Sequence, residues 1–216
     1  MAETFLLFKV PQLSPVSVIE ERKAVSDVFR KFRETTPLVH CITNYVAMNI
    51  SANVLLAAGG SPAMIHAPEE TADFARIASA LTINIGTLSP PWVEGMKKAI
   101  TAARNADVPW VFDPVGHFAT PYRAAVAQDI LKMGPTILRG NASEIMALAG
   151  QSSEAKGVDS SDAVGDAESA ALSLATAHNF VVVITGETDF VTDGNQIARV
   201  KGGSDLMPQI TAMGCS

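Results

Sequence analysis

The sequence predicts an α/β protein, a three-layer αβα sandwich built on a mainly parallel sheet. Two observations carry that reading. From about residue 18 onward, short apolar runs alternate with Ala-rich amphipathic segments, which is the pattern of repeated β-α units. The most apolar run, Phe180-Val181-Val182-Val183-Ile184, is continuous rather than alternating, as in a strand buried on both faces of a parallel sheet. The length agrees, since 216 residues suit one large core better than two small ones.

Taken in order, the first helix is expected over Val18 to Glu34, where Ile19, Val25, Val28, Phe29 and Phe32 recur near helical spacing. Pro37 separates it from a strand at Leu38 to Ile42. A helix follows from about Asn44 and ends at Gly59-Gly60. Strands are then predicted at Ala63–His66, Ala80–Ile85, Trp110–Phe112, Thr136–Leu138 and Phe180–Thr185. Helices fall between them at Glu69–Ser79, Pro90–Asp107, Tyr122–Met133 and Ala142–Ala149, and a last one runs to His178 after a Ser/Gly/Asp loop around 151–162. Prolines at the start of the Pro90 helix fit its first turn. Residues 1–17, with Pro11 and Pro15, read as a flexible extension, and residues 18–216 as a single domain.

Composition excludes several classes. Sixteen basic against 22 acidic residues give a net charge of −6, and the longest basic stretch, Arg22-Lys23 through Arg30-Lys31-Phe32-Arg33, reads as the solvated face of an N-terminal helix. No nucleic-acid partner is expected. The most apolar region, Asn44 to Ile65, is broken by Asn49, Ser51, Asn53 and Gly59-Gly60, so no membrane span is expected. Cys41 and Cys215 lack metal-site or disulfide spacing. Phe5-Leu6-Leu7-Phe8 is too short for a signal-peptide core. A reducing, cytoplasmic location follows.

In a sheet of this kind, ligands bind beyond the carboxyl ends of the strands. The residues there are Thr43-Asn44, Gly86-Thr87, Asp113-Pro114-Val115-Gly116, Arg139-Gly140-Asn141 with Glu144 a turn later, and Thr185-Gly186-Glu187; Thr211-Ala212-Met213-Gly214-Cys215 closes the chain. Neither GxxxxGK[ST] nor GxGxxG after the first strand occurs. Two carboxylates, Asp113 and Glu144, suit a hydrated Mg²⁺, and Arg139 suits phosphate. These parts point to phosphoryl transfer, where positioning and charge neutralisation do most of the catalysis. Nothing in the spacing pairs His40, His66 or His117 with a nucleophile, and all three read as structural or solvent-facing.

Six blocks in this order resemble the hydroxyethylthiazole kinases of thiamine biosynthesis over roughly residues 20–216. They are Pro37–Asn44, Gly60-Ser61-Pro62-Ala63-Met64, Asn84-Ile85-Gly86-Thr87-Leu88, Asp113–Gly116, Arg139-Gly140-Asn141-Ala142-Ser143-Glu144 and Ile184–Asp189. The resemblance implies a ribokinase-like fold and Mg-ATP-dependent phosphorylation of the hydroxyl of 4-methyl-5-(2-hydroxyethyl)thiazole. It also implies a homotrimer with sites between subunits. Carried over by position, it assigns Met64, Asn44, Val46, Gly86, Thr87 and Ala212 to the thiazole, and Arg139, Thr185 and Asn141 to ATP. Asp113 and Glu144 go to the metal, and Cys215 goes to the catalytic position. As a thiol, Cys215 is expected to orient the substrate hydroxyl and to assist only weakly as a base.

Two departures from the family pattern stand out. Ala212 occupies a glycine position, and His117-Phe118 stand where small residues are common. The resemblance further implies helices beyond Ser216, so the expectation is a kinase domain truncated at its C-terminus, lacking the family's C-terminal helices and the helix N-terminus that would bind the transferred phosphoryl group. The alternative reading is a weak or inactive subunit that associates with full-length kinase. A third is a related kinase of a pyrimidine alcohol.

Overall fold

The computed structural model describes residues 18–151, 161–204 and 206–215. The extension expected at residues 1–17 lies outside the described residues, as does most of the loop expected around 151–162. In chain order the elements are α1 (Val18–Thr35), β1 (Leu38–Ile42), α2 (Met48–Ala58), β2 (Ser61–Ala63), α3 (Thr71–Ile77), β3 (Ala80–Asn84), α4 (Pro90–Asn105) and β4 (Trp110–Asp113). There follow α5 (Pro121–Leu131), β5 (Ile137–Asn141), α6 (Ala142–Leu148), α7 (Ser161–His178), β6 (Val181–Thr185), β7 (Thr188–Thr192) and β8 (Ile197–Lys201). The strands form one sheet in the order β2-β1-β3-β4-β5-β6-β7-β8. Pairing is parallel from β2 through β6, and antiparallel in the hairpin that adds β7 and β8.

Local chemistry sets the boundaries. Gly59 ends α2 at φ 106, with its N–H and that of Gly60 donating back to Leu55, a left-handed cap that glycine adopts without a Cβ penalty. Ser89, Thr120 and Asn141 each accept a hydrogen bond from the first turn of the helix that follows. At Asn141 the bond is reciprocal, because Glu144 reaches back to the Asn141 N–H.

Several expected boundaries shift for identifiable reasons. α2 starts at Met48 rather than near Asn44, because the Asn44 side chain accepts from the Ala47 N–H at 2.9 Å and holds a turn there. β2 is Ser61–Ala63, not Ala63–His66, so Met64 and His66 lie in the loop beyond it. Its pairing is Leu38↔Ser61 to His40↔Ala63, and Pro62 is tolerated because β2 is an edge strand. The β7–β8 hairpin was not anticipated, although Asp193-Gly194 at its turn is a recognisable hairpin signal.

One face of the sheet carries the core. Leu81, Ile83, Trp110, Phe112, Leu138 and Val182 share that face by register and are almost completely buried under α4–α7. The opposite face is covered by α2 at its β1 end, whereas Val111, Ile137, Val183 and Thr185 there are half-buried. β6 is therefore not the uniformly buried strand its composition predicts. Val182 and Ile184 are sealed, while Val181, Val183 and Thr185 face the less covered side. Among the described residues, no helix is long and apolar enough to cross a membrane.

Candidate active site

The carboxyl ends of β1, β3 and β4 are tied together by side-chain amides. Asn84 ends β3 and is the hub. Its Oδ1 accepts from Asn44 Nδ2 at 2.8 Å and from the Gly86 N–H at 2.9 Å, and its Nδ2 donates to Asp113 Oδ2 at 2.9 Å. Asn44 and Asn84 are both buried, so these bonds satisfy groups that would otherwise be costly to desolvate. Gly86 is required here, since a Cβ at that position would lie 2.6 Å from Asn44 Nδ2. Thr87 Oγ1 accepts from the Tyr45 N–H at 3.1 Å, linking the loops after β1 and β3.

Asp113 and Glu144 each accept from a backbone N–H of the loop after β4. The Val115 N–H donates to Asp113 Oδ1 at 3.2 Å, and the Gly116 N–H donates to Glu144 Oε1 at 2.8 Å. Glu144 Oε2 accepts from the Asn141 N–H at 2.8 Å, so the residue that caps α6 also holds the β4 loop. Burial and the nearby Glu144 charge push the Asp113 carboxyl up to about 7, against the Val115 N–H, Arg139 and Asn84, which favour its ionised form. Arg139 stands 3.8 Å from Asp113 and donates to the Gly214 carbonyl.

Asp113, Arg139 and Cys215 line a cavity of about 190 Å³ on the less covered face, together with Ser51 and Val54 of α2 and Thr82 of β3. The chain reaches it through a 3₁₀ turn at Met213–Cys215, held by the Ser51 hydroxyl donating to the Cys215 carbonyl at 3.4 Å. Burial raises the Cys215 thiol above its ordinary range, as do Asp113 and Glu144, while the Asn84 and Asn44 side chains act in the opposite sense. The thiol is therefore protonated at neutral pH. Ala212 sits at φ 62, a left-handed backbone that glycine adopts without a Cβ penalty.

The two carboxylates test the fit for a divalent cation. Among the described residues, no group of three His, Cys, Asp or Glu side chains can hold a metal ion. The described residues thus build no cage from side chains alone. The pair Asp113 and Glu144 does fit Mg²⁺, which takes one or two carboxylates with water and phosphate oxygens as its remaining ligands. When both groups are ionised, each carboxylate oxygen accepts one N–H and has a lone pair left.

Other predicted residues are placed apart from this cavity. Asn141 and Thr185 are register partners at the ends of β5 and β6, and Thr185 donates to the Gly140 carbonyl at 3.4 Å. Met64 is half-buried in the loop after β2, and Val46 is exposed; neither lines the cavity. His40 is buried and its Nε2 lies 2.6 Å from the Ile65 carbonyl, and burial lowers its pKa and that of His117. Asn84, Ser51 and Arg123 were not singled out from sequence. An Asn closing a predicted strand was the available signal for the first; nothing local distinguished the other two.

Similarity to known proteins follows this geometry. A family model described as the hydroxyethylthiazole kinase family matches residues 29–216. The chain belongs to the hydroxyethylthiazole kinase family. It is 61% identical over 184 residues to the hydroxyethylthiazole kinase of Rhizobium etli strain CIAT 652, covering 85% of this chain and 71% of that one. The solved hydroxyethylthiazole kinase structure from Pyrococcus horikoshii OT3 superposes with a TM-score of 0.81 at 40% identity, covering 89% of this chain and 72% of that one. A Bacillus subtilis pyridoxal kinase solved as an ADP complex has a TM-score of 0.59 at 17% identity, covering 82% of this chain and 78% of that one. That second likeness speaks to fold alone. As a member of the hydroxyethylthiazole kinase family, the protein is a kinase with a ribokinase-like α/β fold.

Proposed function

We propose that this chain transfers the γ-phosphoryl group of Mg-ATP to the hydroxyl of 4-methyl-5-(2-hydroxyethyl)thiazole, a step of thiamine biosynthesis or salvage. The observation that carries the reading is the convergence of Asp113, Arg139 and Cys215 on one cavity at the carboxyl edge of the sheet, in a chain of this family. Bound Mg²⁺ supplies charge neutralisation to the phosphates. Asp113 and Glu144 are the residues to hold it, and Arg139, with Thr185 and Asn141, is assigned to the nucleotide. A guanidinium offers phosphate a planar fork of donors. Asn44, Gly86 and Thr87, tied together by their own hydrogen bonds, would present the thiazole, with Met64, Val46 and Ala212 as the remaining contacts.

Cys215 orients the substrate hydroxyl rather than removing its proton, because its raised pKa leaves it a neutral thiol at pH 7. A cytoplasmic homotrimer with sites between subunits accompanies this reading on the strength of the family resemblance.

A second reading, a chain that binds the thiazole alcohol but turns it over weakly, is favoured by one contact. The Arg139 guanidinium donates to the Gly214 carbonyl, which phosphate would have to displace. An ADP-release assay with the thiazole alcohol, run beside calorimetric binding of the same alcohol, separates the two. Turnover well above that of the Glu144→Gln variant supports the kinase. Binding without turnover supports the second reading, and neither binding nor turnover defeats both.

A further inference from the structure

Arg123 lies in the first turn of α5, where a cation meets the unfavourable end of the helix dipole. Its guanidinium is nonetheless half-buried and spends its donors on four backbone carbonyls. Nε donates to Gly116 at 3.2 Å, Nη1 to Gly86 at 3.2 Å, and Nη2 to Ile85 at 2.8 Å and to Val115. These carbonyls belong to the two loops that leave β3 and β4, just past the last interstrand bond, Ile85 N–H to Asp113 O at 3.3 Å. One side chain thus closes the gap where the sheet stops holding its strands together.

The pairing of the peptide groups is the informative part. The Val115 carbonyl and the Gly116 N–H belong to one peptide plane. Arg123 holds the oxygen end, and the hydrogen end donates to Glu144 Oε1 at 2.8 Å. The Ile85 carbonyl and the Gly86 N–H form a second plane. Arg123 holds its oxygen, and its hydrogen donates to Asn84 Oδ1 at 2.9 Å, the amide whose other end donates to Asp113 at 2.9 Å. Planar trans peptides put the two ends on opposite sides, and hydrogen bonds in series polarise one another. A cation on each oxygen therefore both orients and strengthens the N–H aimed at the site.

We propose that Arg123 is a positioning residue which, through the Val115–Gly116 and Ile85–Gly86 peptides, sets Glu144, Asn84 and hence Asp113 in their working geometry. It is not a catalytic residue, since no bond of its guanidinium goes to a site side chain. A lysine has the charge but not the fork, because three donors on a point ammonium do not match four acceptors arranged around a plane. The assignment of activity rests on the kinase reading above; the assignment of structure does not.

Two variants test it, Arg123→Met, which keeps an unbranched stem without donors, and Arg123→Lys. In Arg123→Met, kcat on the thiazole alcohol should fall on the order of 10²-fold while its KM moves less than about three-fold, as expected when reacting groups are misplaced but the substrate still binds. By ¹⁵N NMR, amide exchange at Gly86 and Gly116 should quicken by roughly tenfold or more, with the amides of Leu138 and Val182 in the core unchanged. Arg123→Lys, the variant better placed to fold, should remain slow. Wild-type kcat in either variant, or unaltered exchange at both glycines in a folded variant, overturns the proposal. Wild-type protein that does not turn over the thiazole alcohol would defeat the functional reading instead, and the exchange measurement would still decide the role of Arg123.

Discussion

Along β4, Trp110 and Phe112 point into the layer formed by α4–α7 and are 2% and 0% exposed, while Val111 and Asp113 point the other way into the cavity. The same alternation holds for β5, where Leu138 is sealed and Arg139 is half-buried. The two faces of one sheet thus do different work. One is an apolar core in which volume matters. The other is a sparsely covered floor on which charged and polar side chains are held by loops and amides. Alternation of side chains along a strand lets adjacent residues serve these two ends without sharing neighbours.

That contrast can be broken or sharpened by substitution. Phe112→Ala should cost about 3–5 kcal/mol, the usual range for removing a buried aromatic ring, whereas Val111→Ala should cost about 1 kcal/mol. Urea melts of the two variants measure both, and equal losses would erase the distinction between the faces. On the other side, Glu144→Gln should lower kcat on the order of 10²-fold through lost charge stabilisation, with thiazole affinity little changed. Steady-state kinetics showing only a few-fold loss would remove Glu144 from the metal site.

A subtler test uses pH. The Asp113 carboxyl keeps its proton up to about 7 in the folded chain, against 3.8 as the ordinary value. The folded state is therefore the better proton binder between those values, and stability should fall as pH rises from about 4 to 7. Asp113→Asn should flatten this slope and melt higher than wild type at pH 8, in metal-free buffer followed by circular dichroism. A slope unchanged by the substitution would mean that another group carries it. An effect as small as that of Val111→Ala belongs to Ala212, whose φ of 62 favours glycine. Ala212→Gly should stabilise by about 1 kcal/mol, visible as a small rise in the denaturation midpoint.

Much of the fold was legible in the sequence because helical and strand periodicities are local. The Leu38–Ile42 and Trp110–Phe112 runs, the glycine stop at Gly59 and the proline start at Pro90 each declare themselves. The β7–β8 hairpin was not read, since Ile197–Lys201 alternates apolar and polar residues only weakly and is exposed throughout. Among the candidate site residues, Asp113, Glu144 and Arg139 are singled out by their position after predicted strands. Asn84 and Arg123 are not, because their roles depend on partners far along the chain. Arg123 reaches back 37 and 38 residues to Gly86 and Ile85, and no local pattern encodes such a reach.

The two edges of the sheet have a consequence for how copies of this chain meet. β2 is three residues long and contains Pro62, and β8 is exposed along its length and bears Arg199 and Lys201, with Arg199 paired to Glu168 at 2.6 Å. A strand lacking a donor and a strand carrying cations are both poor templates for a further strand. Growth of the sheet from molecule to molecule, the usual first step of fibrous aggregation, is discouraged at either end.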